Sequence, residues 1–523
     1  MKKLLISIVV ILALIAACKS SKKPRTTPRD FGPMRATREL RAVWIATVDN
    51  IDWPSRKNLT PEEQRAEFIN LLNAHQRTGI NAVFVQVRAA GDAFYAKSPE
   101  PWSEWLTGKQ GKAPEPFYDP LEFMVEACHE RGMEFHAWLN LNRTVHKASK
   151  SIADDNIGRK RPDWVFEYDG YQLFNFGLPE VRQFITDVTT NLVKNYDIDG
   201  IHFDDYFYPY TVKGQTIKDD EAFRKYGSRF KNKDDWRRNN IDVLIKQIGE
   251  AIAAEKSYVK FGVSPFGVWR NQKDDPTGSA TEGGQTSYDN LYADTKKWMK
   301  EGWIDYMLPQ VYFTQSFDKV PFNTLVEWWT NHTYGRHLYI GHGAYRVGSQ
   351  DRDKAWLNPS ELPNQIRFIR GFPNVHGSVF FSSKSLINNK LGHADSLRND
   401  LYKIKALPPT MPWKDKTSPN PPQHLSVSVV GKAVNIEWSA PKTDSRDNDP
   451  VRYYAIYRQA QNERIPKMLT ICPASRTKAT DQTTLAGHTY TYGITALDRL
   501  YNESEAIYEK VSTKNTLRAS NKD

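Results

Sequence analysis

Cysteine is scarce, with three residues in a chain of 523. Cys18 falls in an apolar N-terminal leader, and Cys128 and Cys472 lie far apart. A disulfide framework and a four-thiolate metal site are therefore excluded. No G-x-G-x-x-G follows the first expected strand and no G-x-x-x-x-G-K-[ST] occurs, so a nucleotide-binding fold lacks its fingerprint. No run of Lys and Arg is long enough to single out a nucleic-acid partner. Beyond the leader, no hydrophobic stretch reaches the roughly 20 residues of a membrane span. His337 and His342 share an expected strand but point to opposite faces without a carboxylate at ligand spacing, so neither metal nor cofactor is expected.

What is present is an ordinary globular balance, 39% hydrophobic and 25% charged, which excludes wholesale disorder. Lys and Arg number 72 against 61 Asp and Glu, for a net charge of +11. A basic surface suits anionic partners such as cell-wall polymer or lipid headgroups. Aromatics make up 12%, with 15 Trp, 25 Tyr and 24 Phe; such rings fill cores and also stack on sugars.

Residues 1–18 carry a basic start (Lys2, Lys3), an apolar core too short to span a bilayer, and the sequence Leu14-Ile15-Ala16-Ala17-Cys18. This ending resembles a bacterial lipobox, with Cys18 as the lipidated residue. Residues 19–38 are polar, basic and Pro-containing, as a flexible tether requires. The expected product is a body held on a lipid anchor in the bacterial cell envelope, at the outer membrane and facing the periplasm.

From Arg41 onward, short apolar runs alternate with amphipathic segments. Strands are expected at 41–48, 81–88, 134–142, 198–205, 259–267, 304–312, 337–345 and 377–383. Helices are expected at 61–79, 119–132, 179–196, 236–256, 288–302, 359–371 and near 393–405. Eight strands alternating with seven helices favour an α/β (β/α)8 TIM barrel over an open sheet, occupying residues 39–407. Strand parity aims Phe84, Gln86, Arg88, His136, Trp138, Asn140, Asn142, His202, Asp204, Tyr206, Gln310 and Tyr312 at the barrel axis. Many of these are polar and sit near strand C-termini, where barrel active sites are built.

The most chemically loaded stretch is Asp199-Gly200-Ile201-His202-Phe203-Asp204-Asp205-Tyr206-Phe207-Tyr208-Pro209. Two adjacent carboxylates close a buried strand, which pushes their pKa values apart and suits acid/base catalysis. Parity turns Asp204 into the mouth and Asp205 sideways, while Asp199 reads as a turn residue. A second carboxylate is sought in Asp92 or Asp205, with Asp49 and Asp52 as weaker candidates. Arg88, Asn140, Asn142, His202, Tyr206, Gln310 and Tyr312 are candidate hydrogen-bonding partners of a sugar, and Trp138, Trp269 and Trp102 candidate stacking platforms.

The segments RAVWIATVDNIDWPS (41–55), VFVQVRAAGDAFY (83–95), FNFGLPEVRQF (174–184), DGIHFDDYFYP (199–209), SPFGVWRN (264–271) and SYDNLYADTKKWMKEGWIDYMLPQVYF (287–313) resemble the glycosyl hydrolase-like 10 family. The resemblance covers roughly residues 38–410. It implies a TIM-barrel glycoside hydrolase, in a family that includes envelope lipoproteins and a divisome-associated peptidoglycan glycosidase. The fourth strand also resembles the chitinase pattern D-x-x-D-x-D-x-E at Asp199 and Asp204. His202 and Tyr206 replace its other two acids, so Tyr206 cannot be a chitinase-type acid.

Residues 408–423 (PPTMPWKDKTSPNPPQ) read as a stiff Pro-rich linker, residues 424–515 as a fibronectin type III-like sandwich available for docking, and 516–523 as a tail. Trp438 and Tyr490 are its expected core aromatics. Three functional readings follow: a hydrolase of peptidoglycan glycan strands or a related amino-sugar polymer, a glycosidase of another polysaccharide, and a non-catalytic carbohydrate-binding lipoprotein.

Overall fold

The computed structural model describes residues 36–350, 353–442 and 450–513. The leader, Cys18, most of the tether and the 516–523 tail lie outside the described residues. Eight parallel strands close into a barrel: Leu40–Ile45, Ala82–Arg88, Glu134–Leu139, Gly200–Phe203, Lys260–Val263, Tyr306–Met307, His337–His342 and Val375–Phe380. Each of the eight expected strands is present, and their order around the barrel is their order in the chain.

Local signals set several helices. Thr60 and Glu63 form a reciprocal capping box at the start of helix Pro61–Thr78, and Gly79 ends it at φ 91°. Asp119 caps helix Pro120–His129 by accepting from the Leu121 and Glu122 amides. The helix expected at 288–302 is shorter, Thr295–Lys300, because Tyr292 sits at φ 51° and Asp294 caps the turn that follows. Helices Asp220–Tyr226 and Phe322–Thr330 were not expected.

Strand parity sorts the core. Val43, Val83, Val85, Phe135, Ala137, Ile201 and Phe203 face outward onto Phe68, Leu72, Leu121, Ile185 and Leu244 of the helices. Trp44, Phe84, Trp138, Tyr306 and Tyr339 fill the inside. Large rings fit there because facing positions are glycine. A Cβ on Gly200 would lie 2.3 Å from His136 Nδ1, and one on Gly262 would lie 2.2 Å from the Tyr306 ring.

Between the third strand and helix Pro179–Asn195, Arg143–Val145, Tyr171–Phe174 and Val165–Tyr168 form a small antiparallel sheet beside the barrel mouth. At the opposite end, residues after the barrel do not run as a spacer. Ala406–Leu407 pairs with Thr37–Arg38, Met411 is fully buried inside the barrel, and the Trp413 indole donates to Asp305 at 2.8 Å. Prolines read as a stiff linker, but an apolar side chain facing an open barrel end gains more by filling it.

The C-terminal module is an all-β sandwich. Gln423–Val430, Ala433–Ser439 and Lys478–Asp481 form one sheet, and Lys467–Pro473, Tyr453–Ala460, Thr489–Leu497 and Ile507–Ser512 the other. Trp438 and Tyr490 lie in its core, and the Tyr490 hydroxyl accepts from the Leu485 amide at 2.9 Å. The sandwich rests on the sealed barrel end. Arg452 and Arg499 both reach Asp197, and Arg452 also contacts His129.

Candidate active site

A cleft of about 530 Å³ opens at the C-terminal ends of the barrel strands. Asp204 and Asp205 both line it, with Trp44, Trp138, Tyr171, Tyr206, Tyr210, Phe266, Tyr312, Phe313, Tyr345 and Phe381 forming an aromatic wall. The expectation that Asp205 turns aside fails here. The fourth strand ends at Phe203, so strict alternation stops before the two acids and the turn brings both to the same space.

Their surroundings differ. Asp204 Oδ2 accepts the Trp138 indole N–H at 3.1 Å and the Asn140 amide at 2.9 Å, and Oδ1 faces the Tyr206 amide at 3.4 Å. Burial raises the Asp204 pKa, while Arg143 and these donors pull it back. Asp205 accepts from the Tyr210 hydroxyl. Burial and the adjacent Asp204 charge push its carboxyl up to about 6. Both carboxyls are thus pushed upward, Asp204 with donors that favour its charged form and Asp205 with the adjacent charge against it.

Other candidates fall into place around them. Tyr206 lies under the Arg143 guanidinium, 4.0 Å from ring centroid to cation. Gln310 lines the cleft with its amide donated to the Ser264 carbonyl at 2.9 Å. Tyr312 meets Trp44 edge-on at 6.5 Å, and burial holds its phenol neutral.

Several expected sugar contacts do not reach the cleft. Arg88 sits where the second and third strands slip register. It turns instead to Glu100, at 2.6 and 2.7 Å, and to the Asn140 carbonyl. Asp92 closes its own turn, accepting from the Ala89 and Ala90 amides at 3.1 and 2.9 Å. Burial pushes it up to about 6, but it does not face the cleft, so it is not the second carboxylate of this site. Asn140 spends its side-chain N–H on Asp204 and its side-chain Oδ1 on the backbone N–H of Arg143. Asn142 donates to the Phe207 carbonyl at 3.2 Å and lies behind the main cleft.

His202 is buried below the floor, 2.9 Å from Ser264 Oγ and 3.2 Å from the Trp44 indole nitrogen. Burial drives its pKa well down, so it is a neutral brace and not a sugar ligand. Trp269 stacks on Trp328 at 5.6 Å and donates to Asp294, away from the cleft. Asp52 clamps the Ala46 amide, Ser382 and Lys384, and Asp199 holds the Phe135 amide and His129 at the far barrel end. His342 bonds Gln365 and Ser378. Among the described residues, no cluster of three His, Cys, Asp or Glu is placed to hold a metal.

Sequence reasoning missed Arg143, His146, Tyr171, Tyr210, Tyr345 and Arg346 in the lining. Arg143 and Tyr171 come from the inserted sheet, whose short strands give weak periodicity. Tyr210 had a signal, the aromatic run that follows Asp205.

The model of the family described as glycosyl hydrolase-like 10 matches residues 39–358. The glycosyl hydrolase YngK of Bacillus subtilis (strain 168) is 46% identical over 483 residues, spanning 90% of this chain and 93% of its own. The glycosyl hydrolase DigH of Escherichia coli (strain K12) is 36% identical over 409 residues, spanning 72% of this chain and 91% of its own. Among solved structures, the PgaB (BpsB) glycoside hydrolase domain from Bordetella bronchiseptica aligns with a TM-score of 0.44 at 14% identity. That alignment covers 69% of this chain and 98% of the domain.

Proposed function

The chain belongs to the glycosyl hydrolase-like 10 family of glycoside hydrolases, and on that premise we propose that it cleaves the glycan strands of peptidoglycan from a lipid anchor in the cell envelope. The observation that carries the reading is the adjacent pair Asp204–Asp205 opening on one aromatic cleft. Asp205, with its carboxyl pushed up to about 6, donates its proton to the bridging oxygen as the bond to the anomeric carbon breaks. Asp204, braced by Trp138 and Asn140, stays anionic beside the positive charge that develops on the sugar. A 2-acetamido oxygen of the substrate supplies the first nucleophile. Water then takes the anomeric carbon and returns a proton to Asp205, so one water is consumed per bond.

This assignment moves proton handling from Asp204, the sequence expectation, to its neighbour. The aromatic wall supplies stacking faces for the rings. The polymer assignment is supported by the lipobox-like ending at Cys18, the net charge of +11 and the family resemblance. The anchor places the enzyme at the outer membrane, facing the periplasm. The sandwich, of fibronectin type III kind, is fixed to the barrel end opposite the cleft and leaves its outer face for an envelope partner.

The test is mass spectrometry of soluble products from purified sacculi, intact and amidase-treated, with wild type, Asp204→Asn and Asp205→Asn. Disaccharide-repeat products from wild type alone support the reading. Cleavage of a neutral polysaccharide with sacculi untouched would replace the substrate.

A further inference from the structure

One end of the C-terminal sandwich gathers exposed aliphatic side chains. Val430 is 57% exposed, Ile465 72% and Leu485 61%. Val430 opens the turn between Gln423–Val430 and Ala433–Ser439, Ile465 lies between Tyr453–Ala460 and Lys467–Pro473, and Leu485 between Lys478–Asp481 and Thr489–Leu497. The three turns meet at one tip. Thr484 donates its hydroxyl to the Lys432 carbonyl at 2.6 Å, which ties the third turn to the first. The Gln461 amide donates to the Thr489 carbonyl at 3.0 Å, which ties the second turn to the strand that follows the third. A single exposed aliphatic residue needs no explanation, but three on adjoining turns mark a contact surface.

Two further observations say what that surface meets. The first is charge. Within turns 430–432, 461–467 and 482–488 stand three cations, Lys432, Arg464 and Lys467, against the one carboxylate of Glu463. Glu463 pairs with Lys467, and Lys432 and Arg464 are exposed. Aliphatic side chains rimmed by cations suit the interface of an anionic bilayer. The second is the path of the chain. Ala36 packs against the cluster that holds Tyr457 and Met468, and Arg38 donates to the Tyr501 carbonyl at 2.8 Å. The chain therefore leaves toward Cys18 from the sandwich side of the molecule, beside the strand pair that ends in the Ile465 turn. Seventeen residues, 19–35, separate Ala36 from Cys18. They reach at most about 60 Å and on average about 20–25 Å. The sandwich thus lies on the anchor side, and the cleft opens at the other end of the barrel.

We infer that this tip is a membrane-contact surface: Val430, Ile465 and Leu485 dip into the interface of an anionic phospholipid layer, with Lys432 and Arg464 on its headgroups. The inference rests on the lipid-anchor reading and adds a second point of attachment to it. One anchor leaves the body swinging on its tether. Two hold the barrel upright, with the cleft turned away from the bilayer.

The test places the full chain in vesicles of phosphatidylethanolamine and phosphatidylglycerol. Cys128 and Cys472 are buried, so Ile465→Cys and Leu485→Cys each offer a new thiol for an environment-sensitive fluorophore, with the wild-type chain, treated alike, as the blank. Phe117→Cys is the control, 65% exposed in the loop after the second barrel strand, on the cleft side. Brominated phospholipid is expected to quench the probe at 465 and 485 and to spare it at 117. The double variant Lys432→Glu/Arg464→Glu should lose most of that quenching, since each cation at such a surface favours contact about fivefold. Unquenched probes at 465 and 485, quenching at 117 as strong as at the tip, or quenching that survives the double reversal overturns the inference. The mass of the purified chain reads acylation of Cys18 separately. An unacylated chain ends the anchor reading, while the quenching pattern still decides the tip.

Discussion

Trp138 donates its indole N–H to Asp204 Oδ2 at 3.1 Å, from the third barrel strand to the end of the fourth. The ring also lines the cleft, so one residue both faces the open space and fixes the carboxylate beside it. Asp204→Asn keeps the shape of the side chain and removes its charge. Glycan cleavage is expected to fall by at least about a hundredfold, the loss typical of one preorganised electrostatic group. Circular dichroism and melting should stay close to wild type. Trp138→Phe keeps the ring face and loses the donor, so a smaller loss is expected. Full activity in Asp204→Asn would remove this residue from the mechanism.

Asp205 gives a pH signature. Its proton is held up to a pH of about 6, because burial and Asp204 disfavour the second charge. Activity is expected to decline on the alkaline side with an apparent midpoint near that value. Tyr210 donates to the ionised form and so lowers the pKa. Tyr210→Phe should therefore move the alkaline limb upward, and a downward shift would refute the assignment.

The same carboxyl affects stability with a definite sign. Its folded pKa lies above the unfolded value of about 3.9, so the folded protein holds the proton more tightly. The stability gained from protonation is complete below pH about 4 and lost as pH rises through about 6. Asp205→Asn should then melt higher than wild type at pH 8 and converge with it toward pH 4. Differential scanning calorimetry at the two pH values checks this.

The barrel was legible because strands such as Ala82–Arg88 and His337–His342 are apolar on the outer face and bounded by helix caps like Thr60 and Asp119. Parity holds for Trp138, which lies inside regular strand, and the inward direction extends one residue past the strand end to Asp204. It failed for Arg88, where a bulge resets the register, and for Asp205, which lies past the strand end. Arg143 was invisible because it reaches the cleft through an inserted sheet whose strands run three or four residues. His202 obeyed parity yet lies one layer too deep, and depth along a barrel axis depends on neighbouring strands, not on alternation.

Arg88 and Glu100 form a fully buried ion pair at 2.6 Å, and Arg88 also holds the Asn140 carbonyl. Asn140 in turn holds Asp204. Arg88→Met strands the Glu100 charge in the interior, a loss of about 3–5 kcal/mol. The double variant Arg88→Met/Glu100→Leu removes both charges and should recover much of that stability. Activity should not recover with it, because the Asn140 segment remains unsupported. Chemical denaturation paired with turnover rates separates the two effects.

Met411 closes the barrel from below. Its side chain is fully buried against the interior ring cluster that includes Tyr306 and Tyr339. Tyr306 lies 3.1 Å from His136 and 3.3 Å from His202, and His202 lies against Trp44, which lines the cleft. The sealed end is thus joined to the cleft end through one packed column. Met411→Ala leaves a cavity under that column and should cost about 2–5 kcal/mol. Met411→Leu conserves volume and should cost less than about 1.5 kcal/mol. If residues 408–413 were merely a spacer, both substitutions would leave the denaturation midpoint where it is. A drop for alanine with near-recovery for leucine shows that this Pro-rich stretch is part of the barrel core.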